Sequence, residues 1–336
     1  MSSPTPRSLG FRMPAEWEPH EGTWIAWPHN EDDWPGRFEP IPWVYGDIVR
    51  KLADVERVHI LVRDEELRES ARQVLEKCGA NLAGVEFVVR ATDRVWTRDF
   101  APQFLKNSAG ETAAVKFRFN GWAKYDNYPL DDAAGRAIPG VRWQPDIVLE
   151  GGSIDVNGAG VLLTTEECLL SSVQARNPGL SREQLEAYFR DYLGIDRVLW
   201  LGNGIAGDDT HGHIDDLARF TSKDSIVMAS EDDPLDPNYA PLAENWERVQ
   251  SMPVHARRLP MPAPLWFDGV RLPASYANFY VANHTVLVPT FNDPNDRVAL
   301  NTLAECFPDR TVAGIHCVEL VWGLGTLHCM TQQQPA

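Results

Sequence analysis

Short apolar runs recur along the chain, each followed by a stretch with helix-start and helix-stop residues. Residues 57–63 (Arg-Val-His-Ile-Leu-Val-Arg) predict a strand. A helix is expected over 64–78, with Asp64 as its N-cap and Gly79 as its stop. Residues 85–90 predict the next strand. The same order returns downstream. Ser181 and Gln184 have the spacing of a capping box. They open a helix to about residue 193, which Gly194 ends, and residues 197–201 predict the strand after it. A third round has a strand pair over 280–289 turning at Asn283 and His284, a helix over 295–307 and a strand around 311–315. The segment 232–264, rich in proline and acidic residues, reads as a long excursion.

Helices alternating with short strands point to an α/β or α+β architecture. No dinucleotide glycine fingerprint accompanies them, which argues against a Rossmann domain. No linker or low-complexity segment divides the 336 residues, so length alone allows one large domain or two smaller ones. With 43% hydrophobic and 24% charged residues, the chain can bury a sizeable core. Its net charge of −17 repels phosphate backbones and makes nucleic acid a poor partner. That charge favours solubility first, and a small cationic ligand only weakly. No apolar run approaches the ~18 residues of a membrane span, and the N-terminus lacks a basic head with an apolar run behind it, so no export signal is expected. The cysteines Cys78, Cys168, Cys306, Cys317 and Cys329 are odd in number and widely spaced. They point to reduced thiols in a cytoplasm, not to a disulfide framework or zinc ribbon.

Four clusters place ionisable groups among glycines or at expected strand ends. In Trp96-Thr97-Arg98-Asp99-Phe100-Ala101-Pro102, Asp99 is expected at a strand end entering a loop, and a local Arg98–Asp99 pair is the plain alternative. In Leu149-Glu150-Gly151-Gly152-Ser153, a carboxylate precedes two glycines that permit close backbone approach. A simple turn explains it about as well. The stretch 207–216 holds Asp208, Asp209, His211, His213, Asp215 and Asp216, a density that favours function over structure. The fourth is the glycine-hinged loop Trp322-Gly323-Leu324-Gly325-Thr326-Leu327-His328-Cys329, whose thiol alone could be buried and inert.

Two chemistries compete. His211-x-His213-x-Asp215 resembles the start of a dinuclear metal site. It lacks convincing histidine ligands downstream, although His255, His284, His316 and His328 exist. The other chemistry is nucleophilic attack by a cysteine with a histidine distant in sequence. The surplus carboxylates Asp99, Glu150 and Asp215 favour the second, because they suit a cation with several N–H donors. Planar guanidinium pairs with carboxylates bidentately.

Nearly the whole chain resembles the agmatine deiminases, within the superfamily that modifies guanidino groups and includes arginine deiminases and bacterial peptidylarginine deiminases. The resemblance rests on ordered motifs. These are Phe11-Arg12-Met13-Pro14-Ala15-Glu16-Trp17-Glu18-Pro19-His20, Trp96-x-Arg98-Asp99, Leu149-Glu150-Gly151-Gly152, Thr210-x-Gly212-His213-x-Asp215, Tyr276-Ala277-Asn278-Phe279-Tyr280 and His328-Cys329-x-Thr331-Gln332-Gln333. It implies a single domain over 1–336, a five-fold pseudosymmetric α/β propeller (pentein) of ββαβ-type modules, and no metal or other cofactor. It implies Cys329 as nucleophile, His213 as general acid and base, and Glu150 as the acid that orients His213. Asp99 and Asp215 would hold the guanidinium, and Trp96 would wall the substrate's aliphatic stem. The implied reaction converts agmatine to N-carbamoylputrescine and ammonia in the cytoplasm, a step toward putrescine in polyamine biosynthesis. Free arginine, peptidyl arginine or another alkylguanidine are the alternative substrates, and a homo-oligomer is compatible. The sequence departs from the family pattern at Gly323-Leu324-Gly325, where three glycines are usual, and in the short loop 119–125. Both departures bear on the substrate's far end. The roles of His211 and Asp216 stay open.

Overall fold

The structure, a computed structural model, describes residues 4–336. The first expected unit forms a strand at Arg57–Val62, a helix at Glu65–Lys77 and a strand at Val85–Val89. Asp64 starts the helix by accepting the Leu67 N–H on its carboxylate at 2.8 Å. That satisfies one of the donors a helix N-terminus leaves free. Ala71 and Leu75 form the helix's buried stripe. Gly79 turns the chain away with a left-handed φ of 72°.

Among the described residues, five of the six sheets share one plan, and the sixth is a two-stranded hairpin at Trp266–Phe267 and Val270–Arg271. An antiparallel pair leads through helix into a strand parallel to the second. Gln103–Asn107 and Thr112–Val115 lead through helix Pro129–Ala137 to Val141–Trp143. Asp155–Val156 and Val161–Thr165 lead to Arg197–Leu201. Ala218–Ser222 and Ser225–Ser230 lead through Tyr239–Gln250 to His255–Pro260. Tyr280–Val281 and Thr285–Thr290 lead through Asn295–Cys306 to Thr311–His316. The fifth unit joins the two ends of the chain. Gln332–Pro335 runs antiparallel to His20–Ala26, which continues through Ile41–Leu52 to Arg57–Val62.

Two expectations are corrected. The segment 232–264 is not an excursion, because it supplies the helix and third strand of one unit. Leu242, Asn245 and Val249 bury that helix, and residues 255–260 pair in register with 225–230. Most of its prolines stand at the joints. Pro241 occupies the helix's first turn, where a missing N–H costs little. The helix after Ser181 forms its capping box but is α-helical only over Arg182–Tyr188. It ends in a wider turn at Phe189–Leu193, with Gly194 left-handed at φ 74°.

The connections between strands position the site. The helical turn Thr97–Phe100 packs on the turn Gly151–Ser153, which packs on the turn Ile214–Asp216. Beside them run the segments holding Asn278 and Cys329, joined by hydrogen bonds from the His328 N–H to the Asn278 side chain and from the Arg98 N–H to the Cys329 carbonyl.

Candidate active site

Asp99 is not at the end of a strand, as its sequence context suggested. It lies in the turn Thr97–Phe100, ahead of the strand Gln103–Asn107. The Thr97 hydroxyl ties that turn to the cysteine segment by donating to the Met330 carbonyl at 2.6 Å. Arg98 does not pair with Asp99. Its guanidinium turns the other way, to Gln333 Oε1 at 2.7 Å. The Asp99 carboxylate accepts the Gly152 N–H at 2.9 Å and the Trp122 indole N–H at 2.8 Å.

Gly152 is where the three turns meet. A Cβ there would lie 2.6 Å from His213 Nδ1, 2.9 Å from Asp99 Oδ1 and 3.0 Å from Asp215 Oδ2. Only glycine lets these groups approach one another so closely. Gly152→Ala is therefore expected to displace all three side-chain ends. A misplacement on the order of 1 Å can cost about 10²-fold in rate, so kcat/KM should fall by about that factor with the fold retained. Steady-state kinetics beside a thermal melt checks this, and an alanine variant within twofold of wild type would refute it.

His213 sits in a ring of carboxylates. Its Nε2 is 3.8 Å from Glu150 Oε2, and its Nδ1 is 3.9 Å from both Asp99 Oδ1 and Asp215 Oδ1. Glu150 is itself held by Arg176, whose Nε donates to it at 3.1 Å. Burial works against an imidazolium at His213. Asp99, Cys168 and Glu150 outweigh it and raise the His213 pKa well above the usual imidazole value. Burial also raises carboxyl pKa values. At Glu150 it is overcome by Arg176 and His213, which hold that acid down at about 2. At Asp99 burial prevails, aided by Asp215 and Glu150, and the carboxyl is pushed up to about 6. Asp215 lies below its ordinary range because contact with His328 more than offsets burial.

Cys329 is buried, and its Sγ lies 3.0 Å from Asn278 Nδ2 and 3.7 Å from Asp215 Oδ2. Burial and the carboxylates Asp215, Asp216 and Asp99 push its thiol pKa well up. A cation beside Sγ would oppose the carboxylate part of that shift. The thiol faces a cavity of about 310 Å³ shared with Trp96, Asp99, Trp122 and Leu324. Leu324 takes a left-handed φ of 66°, a conformation more usual for glycine. The next residue is crowded too, since a Cβ on Gly325 would meet the Trp96 ring at 2.7 Å.

The structure thus brings together Cys329, His213, Glu150, Asp99 and Asp215, with Trp96 on the cavity wall. His211 points elsewhere, its Nε2 3.2 Å from Ser171 Oγ. Among the described residues, the metal-compatible groupings nearby are Glu150/Cys168/His213 and Asp215/Asp216/Cys329, and His211 joins neither. Sequence reasoning missed Arg176, Trp122, Asn278 and the contacts of His328. Trp122 lies in the divergent loop 119–125. Asn278 and His328 stood inside motifs whose order was informative but whose contacts were not. Asp216 accepts the second Asn278 amide contact at 2.9 Å, and burial, with Asp215 and Asp208, raises its acid strongly.

Residues 12–335 match the family model described as Porphyromonas-type peptidyl-arginine deiminase. An agmatine deiminase of Pseudomonas aeruginosa is 36% identical over all of this chain and 99% of its own length. The chain belongs to the agmatine deiminase family. A structure of agmatine deiminase of Enterococcus faecalis, described as catalyzing its reaction, superposes with a TM-score of 0.91 at 31% identity, covering 100% of this chain and 98% of that one. A cysteine-to-serine variant of C. jejuni agmatine deiminase with substrate bound superposes with a TM-score of 0.88 at 30% identity, covering 97% and 96%. The mixed α/β fold is shared more distantly with DDAH from Pseudomonas aeruginosa, at a TM-score of 0.55 and 13% identity over 94% of this chain and 99% of that one. Membership makes the chain an enzyme of guanidino-group deimination. Among the described residues, no helix is long and apolar enough to cross a membrane.

Proposed function

We propose that the enzyme hydrolyses agmatine to N-carbamoylputrescine and ammonia through a covalent amidino adduct on Cys329. The observation that carries this reading is a buried thiol opening on a cavity, with Asp99 and Asp215 beside it and a carboxylate-ringed His213 behind. The five ββαβ units close into a five-fold pseudosymmetric α/β propeller of one domain around that site. The unpaired state of all five cysteines fits a cytoplasmic setting.

Asp99 and Asp215 hold the guanidinium and fix its carbon against Sγ. Substrate charge favours the thiolate, and the thiol proton leaves to solvent. The thiolate attacks the guanidinium carbon and gives a neutral tetrahedral adduct. His213, protonated at rest, donates to one amino group, the C–N bond breaks and ammonia departs. A cationic amidino thioether remains. Neutral His213 then takes a proton from water, and the hydroxide attacks the same carbon. The C–S bond breaks, the thiolate returns and the ureido product leaves. The hydroxyl proton passes to solvent, where ammonia takes it up as ammonium. Glu150, fixed by Arg176, orients His213 in both half-reactions.

The far end of the cavity favours agmatine over arginine. Asp33 and Asp209 line it, and the lining cation among the described residues, Arg94, already donates to Asp33 Oδ1 at 2.7 Å. Asp33 Oδ2 is buried without a protein partner. Burial, with Asp32 and Asp209, raises the Asp33 acid to about 7 despite Arg94, so a ligand ammonium there would favour its ionised form. A hydrogen bond to a charged group contributes about 1.5–3 kcal/mol. Asp33→Asn should therefore raise KM for agmatine roughly tenfold and leave KM for an alkylguanidine without the amine nearly unchanged. An equal change for both substrates would count against the subsite.

The Asp99 acid near 6 sets a pH limit. Its pKa is raised, so the carboxylate is lost as pH falls through about 6. We expect kcat/KM for agmatine to decline below that pH, and a profile flat to pH 5 would contradict the role. The reading as a whole is tested by an ammonia-release panel over agmatine, arginine, peptidyl arginine and guanidino acids, with wild type and Cys329→Ala. Agmatine should be the best substrate and the alanine variant inactive. A thiol alkylator should abolish the activity and a chelator should spare it, whereas a metal hydrolase would show the reverse.

A further inference from the structure

One buried ionisable residue touches a carboxylate proposed to hold the substrate, Asp215, and has no step in this mechanism. His328, which precedes Cys329, is 1% exposed. Its Nδ1 lies 2.7 Å from Asp215 Oδ2 and its Nε2 lies 2.9 Å from Glu16 Oε2. A neutral imidazole offers one donor and one acceptor, whereas two ionised carboxylates need two donors. The ring therefore carries both N–H groups and bridges the carboxylates as a cation. Both ends are fixed. Glu16 also accepts from Arg219 at 2.7 Å and from the Val281 N–H at 2.8 Å. The His328 N–H donates to Asn278 Oδ1 at 2.9 Å.

The other oxygen of Asp215 is the informative one. Asp215 Oδ1 is buried and has no hydrogen-bond partner in the protein. An orphaned buried carboxylate oxygen is costly, so it marks a place where a ligand donor completes the set. We propose that His328 is a positioning residue for deimination, holding Asp215 by one oxygen, with Glu16 as its anchor, so that the free oxygen faces the guanidinium. This inference rests on the reading above. It assigns a task to the histidine beside the nucleophile, and it explains why Glu16, far away in sequence, is buried in the same cluster.

The bridge has two ends, and isosteric amides separate them. His328→Asn places an amide nitrogen near the position of Nδ1, which keeps a donor to Asp215 and loses Glu16. His328→Gln places one near Nε2, which keeps Glu16 and loses Asp215. The asparagine variant should retain kcat/KM for agmatine within about tenfold of wild type, and the glutamine variant should fall about 10²-fold, the scale of a misplaced substrate-holding group.

Both variants replace a cation with a neutral group. The other groups that act on Asp215 are His213, Arg219, Arg98, Asp99, Asp216 and Cys329. Loss of the His328 charge lets the Asp215 acid rise, so the acid limb of kcat/KM should move to higher pH in both variants. A residue that merely ties Glu16 into the core would give the opposite order, with glutamine the more active variant. That order, or equal activities, overturns the proposal. Should the glutamine variant fail to fold, a folded asparagine variant within tenfold of wild type supports the proposal and a 10²-fold loss overturns it. A wild type that releases no ammonia from any guanidine instead overturns the reading on which the inference rests.

Discussion

Cys329→Ser is expected to lower kcat for agmatine by on the order of 10⁴-fold or more while leaving the fold and ligand binding in place. Losses of that size or larger follow when a nucleophile is removed from a catalytic unit that works together. A serine hydroxyl is far less readily ionised than a thiol, and the surroundings of Cys329 make ionisation harder still. Burial and three carboxylates already push its thiol upward. The Asn278 amide and the bound cation offset them, and that offset is too small for an alcohol. The groups proposed to hold the cation, Asp99 and Asp215, are untouched by the substitution. Agmatine affinity measured by calorimetry should therefore stay near that of wild type. Structural loss should be small as well, because the hydroxyl fills the same site beside Asn278 and point changes of this kind usually cost about 1 kcal/mol. Substantial ammonia release by a folded serine variant would remove Cys329 from the mechanism.

His213→Gln should reduce kcat by about 10²–10⁴-fold, the usual contribution of a general acid–base group. The loss should fall on both half-reactions, since in the proposed mechanism the same imidazole protonates the leaving ammonia and deprotonates the attacking water. Rapid-quench measurements would then show slow ammonia release in the first turnover as well as in later ones. The charge ring around His213 adds a pH signature to the wild type. Its carboxylate neighbours raise its pKa well above the usual value of about 6.5. The proton is held below that raised value and lost above it, so the alkaline limb of kcat/KM should lie well above neutrality. A limb at the ordinary imidazole value, or a glutamine variant with an undiminished first turnover, would contradict the assignment.

Much of this was legible in the sequence, for reasons that differ between parts. Strand–helix–strand units were readable wherever local signals agreed, as with Asp64 and Gly79 around one helix and the Ser181 capping box before another. The segment 232–264 misled because its prolines and acids crowd the joints of a regular unit. Asp99 was found as a residue but misplaced, because a single helical turn leaves no periodicity to detect. The motifs named Cys329, His213, Glu150, Asp99 and Asp215, which the fold brings together, but not Arg176 or Trp122 beside them. Their arrangement was not legible, since it depends on loops distant in sequence meeting at Gly152. Contacts such as Arg176 with Glu150, or His328 between Asp215 and Glu16, span stretches of chain that no local pattern connects.

Mass analysis of the enzyme, acid-quenched during turnover of agmatine and then digested, tests the central claim most directly. The peptide containing Cys329 should carry an added mass equal to agmatine less ammonia, and that adduct should be absent from Cys329→Ser. Steady ammonia release with an unmodified Cys329 peptide, or the adduct on any other residue, would contradict covalent deimination at this cysteine.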